Sequence, residues 1–364
     1  MRFLVKIGSN ILTRAEGGLD TTRIAALARD IAEVRARGDD VLLVSSGAVA
    51  AGMKKMCLEK YPRDIRIKQA AAAAGQSALM RAYEKYFEKH GQKAAQLLLT
   101  RDDFKDRSRY LNARNTLNTL LEHGFIPVVN ENDPISVAEI KFGDNDHLAA
   151  LVAGMLGVDK MIILSDVDGL YDRPPAEQGA QLIPVVKRID SELFALAGGS
   201  TSGVGTGGMF SKLKAARMAT SHGISVSIVN GRRKGVLREA VSGLQCGTTF
   251  EPPQDSRLSS RKGWIAYGVR CKGVLHLDEG AARAILKKSL LPSGIAAVDG
   301  DFGEGDAVEC RDPRGRLVAK GLVNYSAQDI SRIMGRKTSE IEALLGYKYS
   351  DEVIHRDNLV LVEG

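Results

Sequence analysis

The first two thirds of the chain alternates short apolar runs with longer helical patterns, and this alternation restricts the fold more than any single motif does. The runs are Phe3–Gly8, Val41–Ser45, Ala95–Thr100, Ile126–Asn130, Met161–Ser165 and Ile224–Val229. Helical stretches fall between them, notably Thr21–Arg37, Arg63–His90, Ser108–His123 and Asp144–Leu156. Runs apolar on both faces belong inside a sheet, and intervening helices supply the crossovers that parallel strands require. The pattern predicts an α/β fold with an open, mostly parallel sheet sandwiched by helices. Sheets of this kind bind ligands beyond the carboxyl ends of their strands, and here the polar motifs sit just after strands.

At Glu251-Pro252-Pro253-Gln254-Asp255-Ser256 two prolines disfavour regular structure, so the segment reads as a linker. Beyond it, short β-like runs at Trp264–Val269, Gly273–Leu277, Ala296–Val298, Ala307–Cys310 and Leu317–Val323 are separated by Gly/Asp/Pro turns, with one good helix at Glu279–Lys288. A first domain over 1–256 and a small β-rich domain over 257–364 are expected. The net charge of +7 is spread over both parts, unlike the concentrated basic patch of a nonspecific nucleic-acid binder. Cys57, Cys246, Cys271 and Cys310 form no C-x-x-C pair and the six histidines show no metal-ligand spacing. A reduced, cytoplasmic, non-zinc protein fits best. No leader pattern or membrane-length apolar run is present, so membrane association is not expected.

Two lysines occupy phosphate-type settings. Lys6 lies in Phe3-Leu4-Val5-Lys6-Ile7-Gly8, where a strand runs into Gly8-Ser9-Asn10. Lys212 follows the loop Gly205-Thr206-Gly207-Gly208-Met209 and precedes a helical stretch to Ser221. A glycine loop offering N–H donors beside a cation at a helix start is suited to polyphosphate. Gly203 to Gly208 also satisfies G-x-G-x-x-G, but no strand precedes it and the next strand ends in Asn230, so the ribose-binding acid of a dinucleotide fold is missing.

Four further motifs follow strands. Ser45-Ser46-Gly47-Ala48 could turn N–H groups and the Ser46 hydroxyl toward an anion, although alone Ser46 reads as a helix N-cap. Asn130-Glu131-Asn132-Asp133 and Gly143-Asp144-Asn145-Asp146 would suit a substrate ammonium group, and Asp146 could alternatively hold Lys6 and Lys212 in place. Ser165-Asp166-Val167-Asp168-Gly169 reads either as an Asx-type turn or as a nucleotide-binding loop.

In this order and spacing, the motifs resemble those of the amino acid kinase family, over essentially the whole chain when the tail is included. From about Gly263 the tail is similar to a PUA domain, a small β-barrel found in RNA-modifying enzymes. That pairing resembles the members that phosphorylate the γ-carboxylate of L-glutamate at the start of proline synthesis. The resemblance implies ATP, used as Mg²⁺·ATP, at Lys6, Ser165, Asp166, Thr206, Gly207, Gly208, Met209, Phe210, Ser211 and Lys212. It implies glutamate at Ser46, Asp133 and Asn145, with Asp146 organising the catalytic lysines Lys6 and Lys212. It further implies a dimer or tetramer, a downstream glutamyl phosphate reductase and feedback inhibition by proline. Two positions depart from the usual pattern: Asn10, where a small hydroxyl residue is common, and Phe210, where a small residue is usual.

Other members of the family, acting on acetylglutamate, aspartate, carbamate or uridylate, are the nearest rivals, and they usually lack this pairing with a PUA-like tail. A rival of another class is an RNA-binding protein that uses the kinase-like fold as scaffold. The nearly neutral tail and an aromatic content of 5% speak against it, and RNA contact by the tail as a second activity stays open.

Overall fold

A computed structural model of the protein describes residues 1–14, 16–135, 145–197, 208–253 and 260–362. The chain divides into two compact units, Met1–Arg257 and Leu258–Gly364. Residues 254–256 of the expected linker lie outside the described residues.

The strands of the first unit are β1 (Arg2–Ile7), β2 (Asp40–Ser45), β3 (Lys93–Leu99), β4 (Phe125–Glu131), β5 (Lys160–Ser165), β6 (Val185–Val186), β7 (Ser225–Asn230) and β8 (Gly247–Phe250). Among the described residues they make an eight-stranded sheet in the order β3-β4-β2-β1-β5-β7-β8-β6. Neighbours pair in parallel except β7 with β8. Central strands are buried almost end to end, with Phe3, Leu4, Val5 and Ile7 of β1 at most 1% exposed. β1 lies between β2 and β5, so the strand order reverses beside it, and a crevice opens at its carboxyl end.

The helices are α1 (Ser9–Leu12), α2 (Thr21–Arg35), α3 (Ala48–Lys55), α4 (Ile65–Glu88), α5 (Arg101–Lys105), α6 (Arg107–Glu122), α7 (Asn145–Leu156), α8 (Ser191–Leu196), α9 (Met209–Ser221) and α10 (Val236–Val241). Aspartates start four of them: Asp20, Asp64, Asp106 and Asp190 accept hydrogen bonds from the backbone N–H groups of Arg23, Arg66, Arg109 and Leu193. This cap starts α4 at Ile65 rather than at Arg63. From Leu148 to Leu156 every residue of α7 is buried, as expected of a helix apolar all round.

The second unit has a five-stranded sheet among its described residues, in the order β10-β9-β11-β12-β13. These strands are β9 (Gly273–Leu277), β10 (Ile295–Gly300), β11 (Ala307–Arg311), β12 (Leu317–Leu322) and β13 (Leu359–Leu361). Its core joins Leu275, Ile295, Val308, Cys310, Tyr325 and Ile330.

Three sequence expectations are corrected. Lys212 does not precede a helix: α9 already begins at Met209, so Lys212 is its fourth residue. Once the glycines end, Met-Phe-Ser-Lys-Leu-Lys contains no residue that resists helix. The expected strand at Trp264–Val269 is instead a π-helical turn, Trp264–Gly268, in which Val269 N–H donates to the Trp264 carbonyl at 3.0 Å. Its buried residues Trp264, Ile265 and Gly268 are spaced for one helical face rather than alternating. The helix expected at Glu279–Lys288 is also shorter, Glu279–Ala284. No described helix is long and apolar enough to cross a membrane.

One helix contact bears directly on the crevice. A Cβ at Gly52 of α3 would lie 1.7 Å from the Ala71 carbonyl oxygen, and one at Gly75 of α4 would lie 1.8 Å from that of Ala48. Only glycines allow these backbones to approach so closely, and the contact fixes where α3 begins. Overpacking of this kind costs about 1–3 kcal/mol, so Gly75→Ala should lower the melting temperature by roughly 2–12 °C. An unchanged melting curve would show that the two helices can separate freely.

Candidate active site

Beyond the carboxyl ends of β1, β2, β4 and β5 lies a cleft of about 520 Å³, lined by residues that include Lys6, Gly8, Ser46, Asp133, Asn145, Asp166 and Lys212. Its floor is a charged cluster drawn from three elements. Lys6, near the end of β1, is 3% exposed; Lys212, in the first turn of α9, is 6% exposed; and Asp146, in the first turn of α7, is fully buried. Lys6 Nζ lies 2.5 Å from Asp146 Oδ1 and Lys212 Nζ lies 3.5 Å from Oδ2. Ser211 Oγ donates to the same Oδ2 at 3.0 Å. Two ammonium groups around one carboxylate leave the floor with a net positive charge. The Asp146 carboxylate also sits where the N-terminal end of a helix dipole favours an anion.

A second group of polar side chains surrounds the start of α3. Asn145 Nδ2 donates to Ser46 Oγ (2.9 Å), Asn130 Oδ1 (3.0 Å) and the Ser45 carbonyl (3.2 Å). Asn130 Nδ2 in turn donates to Gln76 Oε1 at 2.9 Å. The expected cap role of Ser46 is corrected: Gly47, left-handed at φ 104°, occupies the cap position, and the Ser46 hydroxyl is taken up by Asn145. The first-turn N–H groups of a helix have no partner within the helix, and those of α3 belong to Ala48, Val49 and Ala50, which line the cleft. Among the described residues, buried Asn145 Oδ1 has no hydrogen-bond donor. An acceptor in that state, with Asp133 lining the same cleft, complements a positively charged group.

At the end of β5, Asp166 accepts from Asn10 Nδ2 at 2.7 Å and from Ser165 Oγ at 3.3 Å. The Asn10 hydrogen bond is the main reason its carboxyl lies below the usual aspartate range. Asn10, in α1, therefore ties the start of that helix to the loop after β5, and Arg232 Nη2 holds the Asn10 carbonyl at 3.1 Å. The Phe210 side chain leaves the cleft and packs edge-on against Phe194 of α8, with centroids 5.3 Å apart, while Lys214 Nζ lies 4.4 Å from its ring centroid. Ser211 turns to Asp146 and Gly208 lines the cleft. Thr206 and Gly207, and the Gly143-Asp144 half of the second acidic motif, lie outside the described residues. Sequence reasoning missed Tyr61 and Lys68, which also line the cleft, because neither belongs to a glycine, serine or acidic motif after a strand.

The sequence model of the amino acid kinase family matches residues 1–230. The chain belongs to the amino acid kinase family. A PUA domain matches residues 273–345, within the second unit. Among relatives, the glutamate 5-kinase of Caldanaerobacter subterraneus subsp. tengcongensis is 49% identical over 100% of this chain and 98% of its own. That of Geobacter sulfurreducens is 50% identical over 99% of this chain and 97% of its own. In three dimensions, carbamate kinase from Giardia lamblia bound to AMP-PNP superposes with a TM-score of 0.53 at 17% identity. The match covers 69% of this chain and 98% of that one, which establishes the shared fold.

Two histidines make the frame of this site sensitive to acid. His222 packs on α7 where a Cβ at Gly154 would meet its ring at 2.8 Å, and burial lowers its pKa to about 4. His147 is lowered to about 4 as well, chiefly by burial and then by Arg101 and Lys214. Unfolded histidine takes up its proton near pH 6.5, whereas these two stay neutral in the fold until about pH 4. Their contribution is complete above pH 6.5 and is lost as the pH falls toward 4, at up to about 1.4 kcal/mol per pH unit for each. Urea denaturation from pH 6.5 to 5 should therefore show a shallower loss of stability in His222→Gln, by about 2 kcal/mol over the interval. Equal slopes would place the acid sensitivity elsewhere.

Proposed function

We propose that the protein transfers the γ-phosphoryl group of ATP to the γ-carboxylate of L-glutamate, giving γ-glutamyl 5-phosphate, the first step of proline synthesis. The observation that carries this reading is identity near 50% over the full length to relatives named glutamate 5-kinase. The cleft supports it with positive charge at its floor and ammonium-type acceptors nearby.

The γ-carboxylate is ionised at neutral pH, so its attack on phosphorus needs no general base. The demand on the protein is in-line alignment and neutralisation of charge on the transferring group. Lys6 and Lys212 meet that demand, with Asp146 fixing both ammonium groups before substrate arrives. ATP lies along Ser165, Asp166 and the run from Thr206 through Gly208 and Met209 to Lys212, with Mg²⁺ entering as part of the Mg·ATP substrate. In this reading Phe210 and Ser211 contribute through their backbone, since their side chains are engaged elsewhere. Asp133 and Asn145 Oδ1 receive the amino group of glutamate, and the Ser46 hydroxyl and the first turn of α3 receive carboxylate. An acyl phosphate hydrolyses readily, so a reductase that consumes it at once is the natural partner in the cytoplasm.

The deciding experiment is ADP release from Mg·ATP with glutamate, aspartate, N-acetylglutamate, carbamate or UMP as acceptor, with hydroxylamine present to trap acyl phosphate. Glutamate-dependent hydroxamate is expected. Turnover with another acceptor would change the substrate, and salt-sensitive RNA binding without any turnover would overturn the reading. Lys6→Ala and Lys212→Ala should each lower kcat by at least about two orders of magnitude, the equivalent of roughly 3 kcal/mol of electrostatic stabilisation. Near-normal turnover in both would defeat the scheme. Asp133→Ala should raise KM for glutamate more than KM for ATP; a defect confined to ATP would remove Asp133 from the acceptor site.

A further inference from the structure

The cleft has a third cation that the phosphoryl-transfer scheme does not use. Lys68, the fourth residue of α4, lines the same cleft as Asn130, Asp133 and Asn145. Its Nζ lies 5.3 Å from the ring centroid of Tyr61, a 59% exposed residue that also lines the cleft. The ring face attracts the ammonium group and limits where it can go. Lys68 itself is only half exposed, and among the described residues no carboxylate lies within ion-pairing distance of it. The nearest acid in the chain, Asp64, is already engaged: it caps α4 and pairs with Arg66 Nη2 at 2.8 Å.

The charges of the ligand make this cation significant, provided the cleft is an amino acid site as proposed above. Glutamate brings one ammonium group and two carboxylates. The ammonium group is matched by Asp133 and Asn145 Oδ1. The γ-carboxylate must lie next to the phosphoryl group, at the end of the cleft occupied by Lys6 and Lys212. Both of those lysines are paired with Asp146, and in the proposed reading they serve the polyphosphate. Of the lysines lining the cleft among the described residues, this leaves Lys68 to neutralise the α-carboxylate, beside the hydrogen bonds that the Ser46 hydroxyl and the first turn of α3 offer a carboxylate.

We propose that Lys68, seated over Tyr61 at the cleft, binds the α-carboxylate of the amino acid substrate and so selects α-amino acids over ω-amino acids and simple carboxylates. The contact forms with the bound substrate and does not change during phosphoryl transfer, so its loss should appear in KM rather than in kcat. A charge-assisted hydrogen bond of this type corresponds to roughly a 10- to 100-fold effect on binding. Tyr61 acts through Lys68 as a positioning residue.

The test is steady-state kinetics of the full chain, comparing the unaltered protein with Lys68→Met and Lys68→Arg. The probes are glutamate and its α-amide, which lacks the α-carboxylate charge; the amide is measured as substrate or as competitive inhibitor. Lys68→Met should raise KM for glutamate about 30-fold, leave KM for ATP and kcat within about threefold, and leave the constant for the α-amide within about twofold. Lys68→Arg should recover most of the glutamate affinity. An unchanged KM for glutamate in Lys68→Met would overturn the proposal, and so would equal losses for glutamate and the α-amide, the mark of a purely structural role. If the unaltered protein turned over glutamate while the variants behaved in either of those ways, the glutamate reading would stand and only the role of Lys68 would fall. If it did not use glutamate at all, both would fall together.

Discussion

Asp146 is the interaction on which the rest of the first unit is arranged. Its two carboxylate oxygens join β1, through Lys6, to α9, through Lys212, across more than two hundred positions of sequence. Burying three charges in a low-dielectric interior is costly unless each is paired, and removing one partner of such a set typically costs about 3–5 kcal/mol. The fold meets that cost by placing the carboxylate at a helix start and adding the Ser211 hydroxyl as a further donor. The result is a fixed positive charge where the end of β1 meets the starts of α7 and α9.

The alternation of apolar runs with helices was legible because the central strands are buried on both faces, so their sequence carries few polar interruptions, Lys6 in β1 and Ser227 in β7 among them. Less legible were elements whose burial is partial or whose length is short. The edge strand β6 and its neighbour β8, of two and four residues, escape any periodicity argument. In the second unit the helix Ala327–Ile333 went unnoticed although Ser326 caps it and accepts from Asp329 N–H. The Ser-x-x-Asp signal was available, but a texture of turns and short strands concealed it. Trp264 misled for the opposite reason: aromatic and β-branched residues favour strands, while their actual spacing was helical.

Within the cleft, the residues that could be read from sequence were those whose chemistry is unusual for their position. A lysine inside an apolar strand, an aspartate opening a fully apolar helix and a lysine after a glycine run each demand an explanation. Residues acting through ordinary-looking positions could not be found this way. Asn10 shows in the sequence only as a departure from the family pattern, and its role emerges once its amide is seen to join α1 to Asp166. Lys68, at the start of a long alanine-rich helix, reads as one more surface lysine until the ring of Tyr61 and the cleft are in view.

The burial of α7 ties the chemistry of the cleft to the cohesion of the domain. The helix that presents Asn145 and Asp146 has no solvent-facing side from Leu148 onward. It has no wet surface along which to fray or slide, and its amides can exchange with solvent only when the surrounding core opens. The cleft floor and the core therefore form a single cooperative unit, so that partial melting cannot spare one and lose the other. Losing α7 therefore means losing the core of the first unit and the floor of the cleft together.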